Sequence, residues 1–302
     1  MQEIFNKYTN YLVAERNVSP YTVRNYTTDL IDFFNFLRAK KVYSLKEVDR
    51  HILRNYLSYL VEQRFVKASI ARKLSAIRSF YRYLMREKMV SANPVADTSP
   101  KLDKRLPSFL TLEEVKKLLN TPDRSTPQGQ RNHALLELLY ASGLRVSELV
   151  SLNPGQIDLD TGEIRVWGKG SKERVTLMGK PAINALNTYI NEGRPHLLSE
   201  KGSNALFLNR YGGKLTERSV QKMFEKYAKI SGIGKRIHPH MLRHTFATHM
   251  LDGGADLRVV QELLGHADLS STQIYTHVTK SRARKVYLSA HPMARGKNNG
   301  VV

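Results

Sequence analysis

The chain has 302 residues, enough for two domains of ordinary size, and 41% of them are hydrophobic, as in other folded proteins. Its 48 Lys and Arg residues against 27 Asp and Glu give a formal net charge of +21, which indicates a long polyanionic partner, with a merely basic soluble protein as the alternative. The absence of cysteine excludes disulfides, thiolate catalysis and cysteine-based metal sites.

The N-terminal stretch MQEIFNKYTNYL does not have the pattern of a signal peptide, because polar or charged residues interrupt every short apolar run. No part of the sequence approaches the ~18 consecutive apolar residues that mark a membrane-spanning helix. We therefore expect a soluble, cytoplasmic protein without membrane insertion.

The first hundred residues show only helical periodicity, which predicts four amphipathic helices with short connections, packed as a bundle. The second helix is expected to begin at Ser19-Pro20, since serine caps helices and proline suits their first turn. On the fourth helix Arg78, Arg82 and Arg86 recur every four residues, away from the apolar stripe. Such a basic stripe is either a solvated face or a surface that contacts phosphates.

A proline-rich, charged segment with little periodicity follows the helical region and predicts an interdomain linker. A second domain is expected to open at Thr111, where Glu114 stands three residues later and completes a capping box. The predicted division is a first domain at residues 1–95, a linker at 96–110, a second domain at 111–281 and a C-terminal tail at 282–302.

The second domain is predicted to be mainly helical with one small antiparallel sheet. Between Glu163 and Met178 the period changes to that of strands, and the turn-rich sequence GKGSKE joins the two halves as a hairpin. The helices of this domain are expected near residues 112–120, 130–151, 181–192, 216–231, 239–252 and 256–264.

Two motifs on predicted helices carry candidate chemistry. In GLRVSEL, Arg145 and Glu148 lie in a very apolar region, which favours a fixed anionic partner for the guanidinium over a surface ion pair. In HPHMLRHTFATHM, His240, Arg243 and His244 share one helix face. No glutamate accompanies these histidines, so an oxyanion site is favoured over a zinc site, although each histidine could equally be a satisfied core residue.

Two further segments carry candidate chemistry in loops and turns. Lys169 lies at the predicted hairpin tip in GKGSKER, whose spacing is not that of a P-loop. In LLGHADLSSTQIYTHV, His266 follows a helix end and Tyr275 lies on a short helical turn, whereas Ser270 and Ser271 have the pattern of turn and cap residues. A tyrosine phenol becomes a useful nucleophile when nearby cations stabilise its anion, and the preceding motifs would supply them.

The order R…K…H-x-x-R…H…Y resembles that of the tyrosine recombinases. The strings GLRVSEL, GKGSKER, LRHTFATHML and GGADLRVVQELLGHADLSSTQIYTHV are similar to the Xer branch, which resolves chromosome dimers. SPYTVRNYTTDLIDFFNFL is similar to the N-terminal SAM-like, four-helix DNA-clamping domain of that branch, so the resemblance covers nearly the whole chain and implies a mainly α fold class. The residues that fill the catalytic hexad are Arg145, Lys169, His240, Arg243, His266 and Tyr275.

The resemblance implies that Tyr275 attacks a DNA phosphodiester and forms a 3′-phosphotyrosyl link. Arg145 and Arg243 would stabilise the charge that builds on the phosphoryl oxygens. Lys169 would protonate the departing 5′-oxygen, the two histidines would assist proton transfer, and Glu148 would support Arg145. Because the covalent link keeps the bond energy, neither ATP nor a metal nor another cofactor is expected.

The resemblance also implies partners. These are double-stranded DNA with a dif-like site, a homo- or heterotetramer formed on DNA with a second recombinase, and an FtsK-like DNA translocase as a candidate regulator. The C-terminal tail would form a helix that docks on the neighbouring protomer. The residues expected to bind DNA are Arg24, Arg72, Arg78, Arg82, Arg86, Lys172 and Arg174.

Three other functions stay open at this point. One is an integrase or transposon recombinase of a mobile element. Another is a catalytically silent DNA-binding protein, which would lack part of the hexad. The third is a type IB topoisomerase, which shares the chemistry and would relax supercoils without a specific site.

Overall fold

The computed structural model describes residues 2–16, 18–95, 109–167, 173–265 and 277–294, and for residues 277–282 it describes the backbone alone. It divides the chain into two compact units, Met1–Arg105 and Leu106–Val302. Each unit has a hydrophobic core of its own. The mainly α fold class expected from the sequence is confirmed, including a small antiparallel sheet in the second unit.

The first unit contains four helices, as predicted: α1 (Gln2–Ala14), α2 (Pro20–Ala39), α3 (Arg50–Glu62) and α4 (Lys67–Arg86). The Ser19 hydroxyl accepts a hydrogen bond from the Thr22 backbone N–H at 3.2 Å, so the predicted N-cap of α2 is confirmed. Aromatic rings fill the core, with Tyr8 and Phe80 5.1 Å apart between centroids. These contacts bury one face of each helix and account for the bundle.

Buried charges join α2 to α4 within this core. The ammonium of Lys73 lies 3.3 Å from Asp29 and 2.5 Å from Asp32, and both Lys73 and Asp29 are buried. Arg72 also pairs with Asp29. A buried ion pair adds little net stability but penalises any arrangement that leaves one charge alone. The pairs therefore specify how α2 and α4 align.

The second unit follows in chain order with α5 (Leu112–Leu119), α6 (Pro127–Ser142) and α7 (Val146–Ser151). The Thr111–Glu114 capping box at the start of α5 is confirmed, since the Thr111 backbone N–H donates to Glu114 at 2.8 Å. Strands β1 (Ile157–Asp158), β2 (Glu163–Trp167) and β3 (Glu173–Leu177) form an antiparallel sheet in the order β1-β2-β3. The remaining helices are α8 (Lys180–Thr188), α9 (Arg194–Leu197), α10 (Glu217–Ile230), α11 (Pro239–Asp252), α12 (Leu257–Leu264) and α13 (His277–Ala290).

The single helix predicted over residues 130–151 is wrong, because the chain breaks after α6. Gly143 caps α6 with a φ of +60°, a left-handed conformation that glycine adopts without strain. A Cβ there would lie 2.6 Å from a ring carbon of Phe246, so the position also has no room for a side chain. The apolar periodicity of the sequence continues across this break, so the pattern alone does not reveal it. As a result, Arg145 precedes α7 instead of lying within a helix.

Helix α13 packs against its own unit. Ala283, Tyr287 and Ala290 are buried in one cluster with Phe246 and Met250 of α11. The ring of His291, just past the helix, stacks on Tyr287 with centroids 5.1 Å apart. The N-terminal part of the tail predicted over residues 282–302 is thus an integral part of this unit, while residues 295–302 lie outside the described residues.

None of the helices described here is both long and apolar enough to cross a membrane.

We predict that Glu137→Gln stabilises the second unit, and more at high pH than at low pH. Glu137 is 6% exposed on α6, and burial raises the pKa of its carboxyl to about 7. Between the unfolded pKa near 4.5 and this folded value, only the folded state binds the proton, so stability falls as pH rises. Between pH 5 and 8 the free energy of unfolding should fall by about 2 kcal/mol less in Glu137→Gln than in the unchanged protein.

The measurement is denaturant unfolding followed by the fluorescence of Trp167, which is the one tryptophan of the chain and lies on β2. Glu113→Gln, at an exposed position of α5, is the matched control and should leave the pH dependence unchanged. Equal effects of the two substitutions at every pH would contradict the prediction.

Candidate active site

The structure describes four residues of the predicted site, Arg145, Glu148, His240 and Arg243, and all four belong to the second unit. Lys169 and Lys172 of the hairpin, and His266 and Tyr275 of the segment after α12, lie outside the described residues. The predicted short turn with Ser270 and Ser271 lies outside them as well. The candidate site is therefore built from the arginines and the carboxylate.

Glu148 holds Arg145 by both its backbone and its side chain. One carboxylate oxygen accepts from the Arg145 backbone N–H at 2.8 Å, and the other accepts from Arg145 Nη1 at 2.9 Å. This geometry arises because Arg145 is the N-cap position of α7 and Glu148 is the third residue of the helix. Arg145 therefore pairs with the carboxylate three residues later, and this local pair joins a buried Glu148 to a partly exposed Arg145.

Arg174 of β3 binds the same carboxylate from the other side. Its Nη1 and Nη2 donate to the two oxygens of Glu148 at 2.7 and 2.9 Å, a bidentate pair. Burial by itself would raise the pKa of Glu148, but the hydrogen bonds and the charge of Arg174 outweigh it and hold this pKa below its usual value. Glu148 is therefore an anion at neutral pH.

Arg243 of α11 is buried and bound to two helix ends. Its Nη1 donates to the Gly143 carbonyl at 2.6 Å, at the end of α6, and its Nη2 donates to the Leu264 carbonyl at 2.7 Å, at the end of α12. Burial, with the charge of Arg145 as a second cause, lowers the pKa of Arg243 to about 10. The guanidinium still carries its charge at neutral pH.

The C-terminal end of α12 brings the three guanidinium groups together. Its last carbonyls, those of Leu263, Leu264 and Gly265, each accept from one arginine: Arg174 at 3.4 Å, Arg243 at 2.7 Å and Arg145 at 3.3 Å. The unpaired carbonyls of a helix end carry partial negative charge and favour cations.

Three arginines and one carboxylate leave an excess of positive charge at this point. The side chain of Arg145 is 37% exposed, and the contacts above use two of its five N–H groups. The other two arginines are buried. Such a cluster suits a phosphate that carries negative charge, because oriented guanidinium donors stabilise phosphoryl oxygens.

The histidines of α11 have different positions. His240, predicted to be catalytic, is exposed near the start of the helix, and His244, one turn later, is half-buried. His249, which is not one of the candidate residues, is buried, with its Nδ1 2.9 Å from the Tyr140 hydroxyl. No group of three or more His, Asp or Glu side chains that could hold a metal is found in the described ranges.

The arginines of the first unit that were predicted to bind DNA divide into two groups. Arg72 pairs with Asp29, and Arg78 Nε donates to the Val95 carbonyl at 3.3 Å. Arg86 pairs with Glu15 at 2.7 Å. Two others, Arg24 and Arg82, are exposed. Whether any of these five binds DNA stays a prediction.

Sequence reasoning missed how Arg174 and the end of α12 take part in this site. Arg174 was expected to bind DNA, because the hairpin motif shows a run of basic residues. On β3 it lies between exposed Glu173 and half-buried Val175, and the residue pattern of this strand does not indicate that Arg174 points inward. The carbonyls of α12 have no signal in the sequence, since every helix has such an end.

Comparison with known proteins identifies the family of this chain. Residues 108–282 match the model of the Phage integrase family, and residues 5–88 match that of the Phage integrase, N-terminal SAM-like domain. The chain is 47% identical to tyrosine recombinase XerC of Pelotomaculum thermopropionicum, over 95% of this chain and 97% of that one. It is 42% identical to tyrosine recombinase XerD of Staphylococcus epidermidis, over 97% of this chain and 100% of that one.

Among solved structures, the chain is similar to the XerH site-specific recombinase bound to a palindromic difH substrate in a post-cleavage complex. The identity is 28%, the TM-score is 0.69, and the match covers 90% of this chain and 81% of the XerH chain. Family models in both units, near-full-length relatives and this structural match all indicate the same family. The chain belongs to the phage integrase family and is a site-specific tyrosine recombinase of the Xer type, which cuts and rejoins DNA through a 3′-phosphotyrosyl intermediate.

Proposed function

We propose that this recombinase acts at a dif-like DNA site and resolves chromosome dimers in the cytoplasm. The observation that carries the proposal is the near-full-length identity to XerC and XerD proteins, at 47% and 42%. The similar XerH structure contains a difH substrate, which supports a target of the same kind. The alternative is recombination confined to a mobile element. The test is recombination between two copies of the chromosomal site, which the proposed role requires and the alternative does not.

We propose that Arg145 and Arg243 hold the non-bridging oxygens of the phosphate under attack. Arg243 stays charged at neutral pH, and the helix ends and Glu148 already fix the orientation of both guanidinium groups. Donors that are fixed before the reaction stabilise the transition state without rearranging. Tyr275 is the nucleophile of this scheme, Lys169 the acid that protonates the 5′-oxygen, and His240 and His266 assist proton transfer.

We propose that both units bind DNA. Residues 1–95 form the N-terminal DNA-binding domain, residues 96–110 the linker, and residues 111–281 the catalytic domain. The charge of +21 supports this, because contacts with many phosphates require many cations. Among the five predicted arginines of the first unit, exposed Arg24 and Arg82 are the better-placed candidates, since within the described residues neither has an ion pair like those of Arg72 and Arg86.

The active assembly proposed here is a tetramer on two DNA sites, formed with a second recombinase or with further copies of this chain. An FtsK-like translocase would regulate it. The tail past Ala294 would reach the neighbouring subunit, whereas residues 283–294 are occupied in packing on their own unit.

We predict that Tyr275→Phe abolishes covalent attachment to DNA and leaves DNA binding unchanged, because the phenol oxygen is the nucleophile. The substrate is a nicked suicide duplex built on a site that this protein selects from a random DNA library, and the adduct is resolved on a denaturing gel. Tyr287→Phe is the matched control, since Tyr287 is buried and cannot reach DNA. An adduct that persists in Tyr275→Phe would contradict the assignment.

We predict that Arg82→Ala weakens DNA binding and lowers the slope of log affinity against log salt concentration by roughly 0.9, the value for one phosphate contact. Arg86→Ala is the comparison on the same helix, and its slope should change less, because Glu15 and Glu87 already hold its guanidinium. Fluorescence anisotropy with the selected duplex at several salt concentrations measures both slopes. Equal slopes for Arg82→Ala and the unchanged protein would exclude this contact.

We predict that truncation after Ala294 leaves binding to a single site unchanged but lowers cooperative assembly and recombination. The truncation keeps the buried residues of α13 and removes only the segment proposed to reach the neighbour. Gel-shift titration on one-site and two-site duplexes, followed by recombination between two sites, measures the effect. Full-rate recombination by the truncated chain would show that the segment has no such role.

A further inference from the structure

Arg174 is the most deeply enclosed cation of the candidate site within the described ranges. It is 8% exposed, less than Arg145 or Arg243. Three of its five N–H groups have partners: two donate to Glu148, and Nε donates to the Leu263 carbonyl at 3.4 Å. Both edges of the guanidinium that could bind a phosphate bidentately are therefore engaged, the Nη1–Nη2 edge by the carboxylate and the Nε edge by the Leu263 carbonyl.

We propose that Arg174 is a positioning residue for strand cleavage, which holds Glu148 in the place from which that carboxylate orients Arg145. This assignment replaces the DNA contact expected of Arg174 from the sequence. It rests on the proposed function, in which Arg145 binds the phosphate.

The carboxylate of Glu148 bridges the two arginines. Its Oε1 accepts from Nη1 of Arg174 at 2.7 Å and from Nη1 of Arg145 at 2.9 Å. Its Oε2 accepts from Nη2 of Arg174 at 2.9 Å and from the Arg145 backbone N–H at 2.8 Å. Without Arg174, all remaining partners of the carboxylate come from Arg145 itself. The pair would then lose its two-bond anchor outside α7 and, among the contacts described, keep the longer hydrogen bond from Arg145 Nη2 to the Gly265 carbonyl, at 3.3 Å.

Arg174 supplies that outside anchor because it belongs to the sheet. Val166 of β2 pairs with Arg174 of β3, so the backbone of Arg174 is fixed by the strand pairing. Its side chain packs directly on Gly265, where an added Cβ would lie 2.8 Å from Cδ and Nε of Arg174. The guanidinium thus connects three elements: β3, the start of α7 and the end of α12.

The size of the expected effect follows from how sharply phosphoryl transfer depends on geometry. A reacting group misplaced by about 1 Å can lower a rate roughly 100-fold. A change of Arg174 should therefore act on the rate of covalent attachment once DNA is bound. A residue that contacts DNA would act on affinity and on its salt dependence instead.

The experiment compares Arg174→Gln, Arg174→Lys and Glu148→Gln, together with the double variant that carries both glutamines. Arg165→Gln is the matched control, since Arg165 lies on the neighbouring strand β2, has the same charge and is exposed. The probe is the nicked suicide duplex described above. The measured quantities are the rate constant of covalent attachment at saturating protein, which does not depend on the active fraction, and the affinity at several salt concentrations.

We expect Arg174→Gln to attach to DNA roughly 100-fold more slowly than the unchanged protein, with affinity and salt slope within twofold. Arg174→Lys, which keeps the charge but not the bidentate geometry, should recover part of the rate. In the Glu148→Gln background, the further change of Arg174 to glutamine should have little effect, because the link through which it acts is already broken. Arg165→Gln should attach at the normal rate.

The inference is overturned if Arg174→Gln lowers the salt slope by about one contact and keeps the normal attachment rate, since Arg174 would then bind DNA. Equal losses from Arg174→Gln with and without Glu148→Gln would also overturn it. If Arg174→Gln does not fold, as judged by Trp167 fluorescence, Arg174→Lys decides: a normal attachment rate contradicts the inference. Loss of attachment in Arg145→Lys, with a normal rate in Arg174→Gln, would leave the proposed function intact and remove only this inference.

Discussion

The hydrogen bonds between the Glu148 carboxylate and two arginines are the interaction on which the geometry of the candidate site depends. The carboxylate is buried, it is an anion, and it accepts four hydrogen bonds from two arginines. A buried carboxylate is tolerated only when its charge is compensated and its oxygens have partners. Both conditions are met here only because α7 begins at Arg145 and β3 points Arg174 inward. The need to compensate this one buried charge therefore fixes the start of α7, the side chain of Arg174 on β3, and Arg145, which is proposed to bind the phosphate.

The end of α12 provides the second constraint at this site. Its three terminal carbonyls each accept a hydrogen bond from one arginine. The backbone dipoles of the helix end thus orient the three cations and offset the repulsion between them. Gly265, in a left-handed conformation with a φ of +67°, ends the helix beneath Arg174. The chain that leaves this residue carries the proposed His266 and Tyr275. The arginines proposed to bind the phosphate and the start of the segment with the proposed nucleophile thus share a single anchoring point.

The first unit handles its charge differently. Part of its basic excess is neutralised inside the bundle, where Lys73 is buried between Asp29 and Asp32. Arg72 and Arg86 also have carboxylate partners, which leaves exposed arginines such as Arg82 as the cations available to a polyanion. Net charge therefore overstates the number of side chains that can contact phosphates. The distinction between structural and available cations requires the packing of α2 against α4.

The sequence by itself determined the fold class, the four helices of the first unit, the hairpin and the family. Helical and strand periodicity follow from which face of an element is buried, and caps such as Ser19 and Glu114 are local signals. Arg145, Glu148 and Arg243 could be proposed from the sequence because their short motifs, in their order along the chain, resemble those of the tyrosine recombinases.

Only the tertiary structure decided where α6 ends and which groups Arg174 contacts. The break at Gly143 is set by Phe246, which lies about a hundred positions later and occupies the space a side chain would need. Arg174 was assigned to DNA because its sequence neighbours are basic, yet its partners are Glu148 and Leu263, on elements that meet β3 only after folding. Local sequence encodes periodicity and caps, whereas the partner of a buried charge depends on contacts between distant segments.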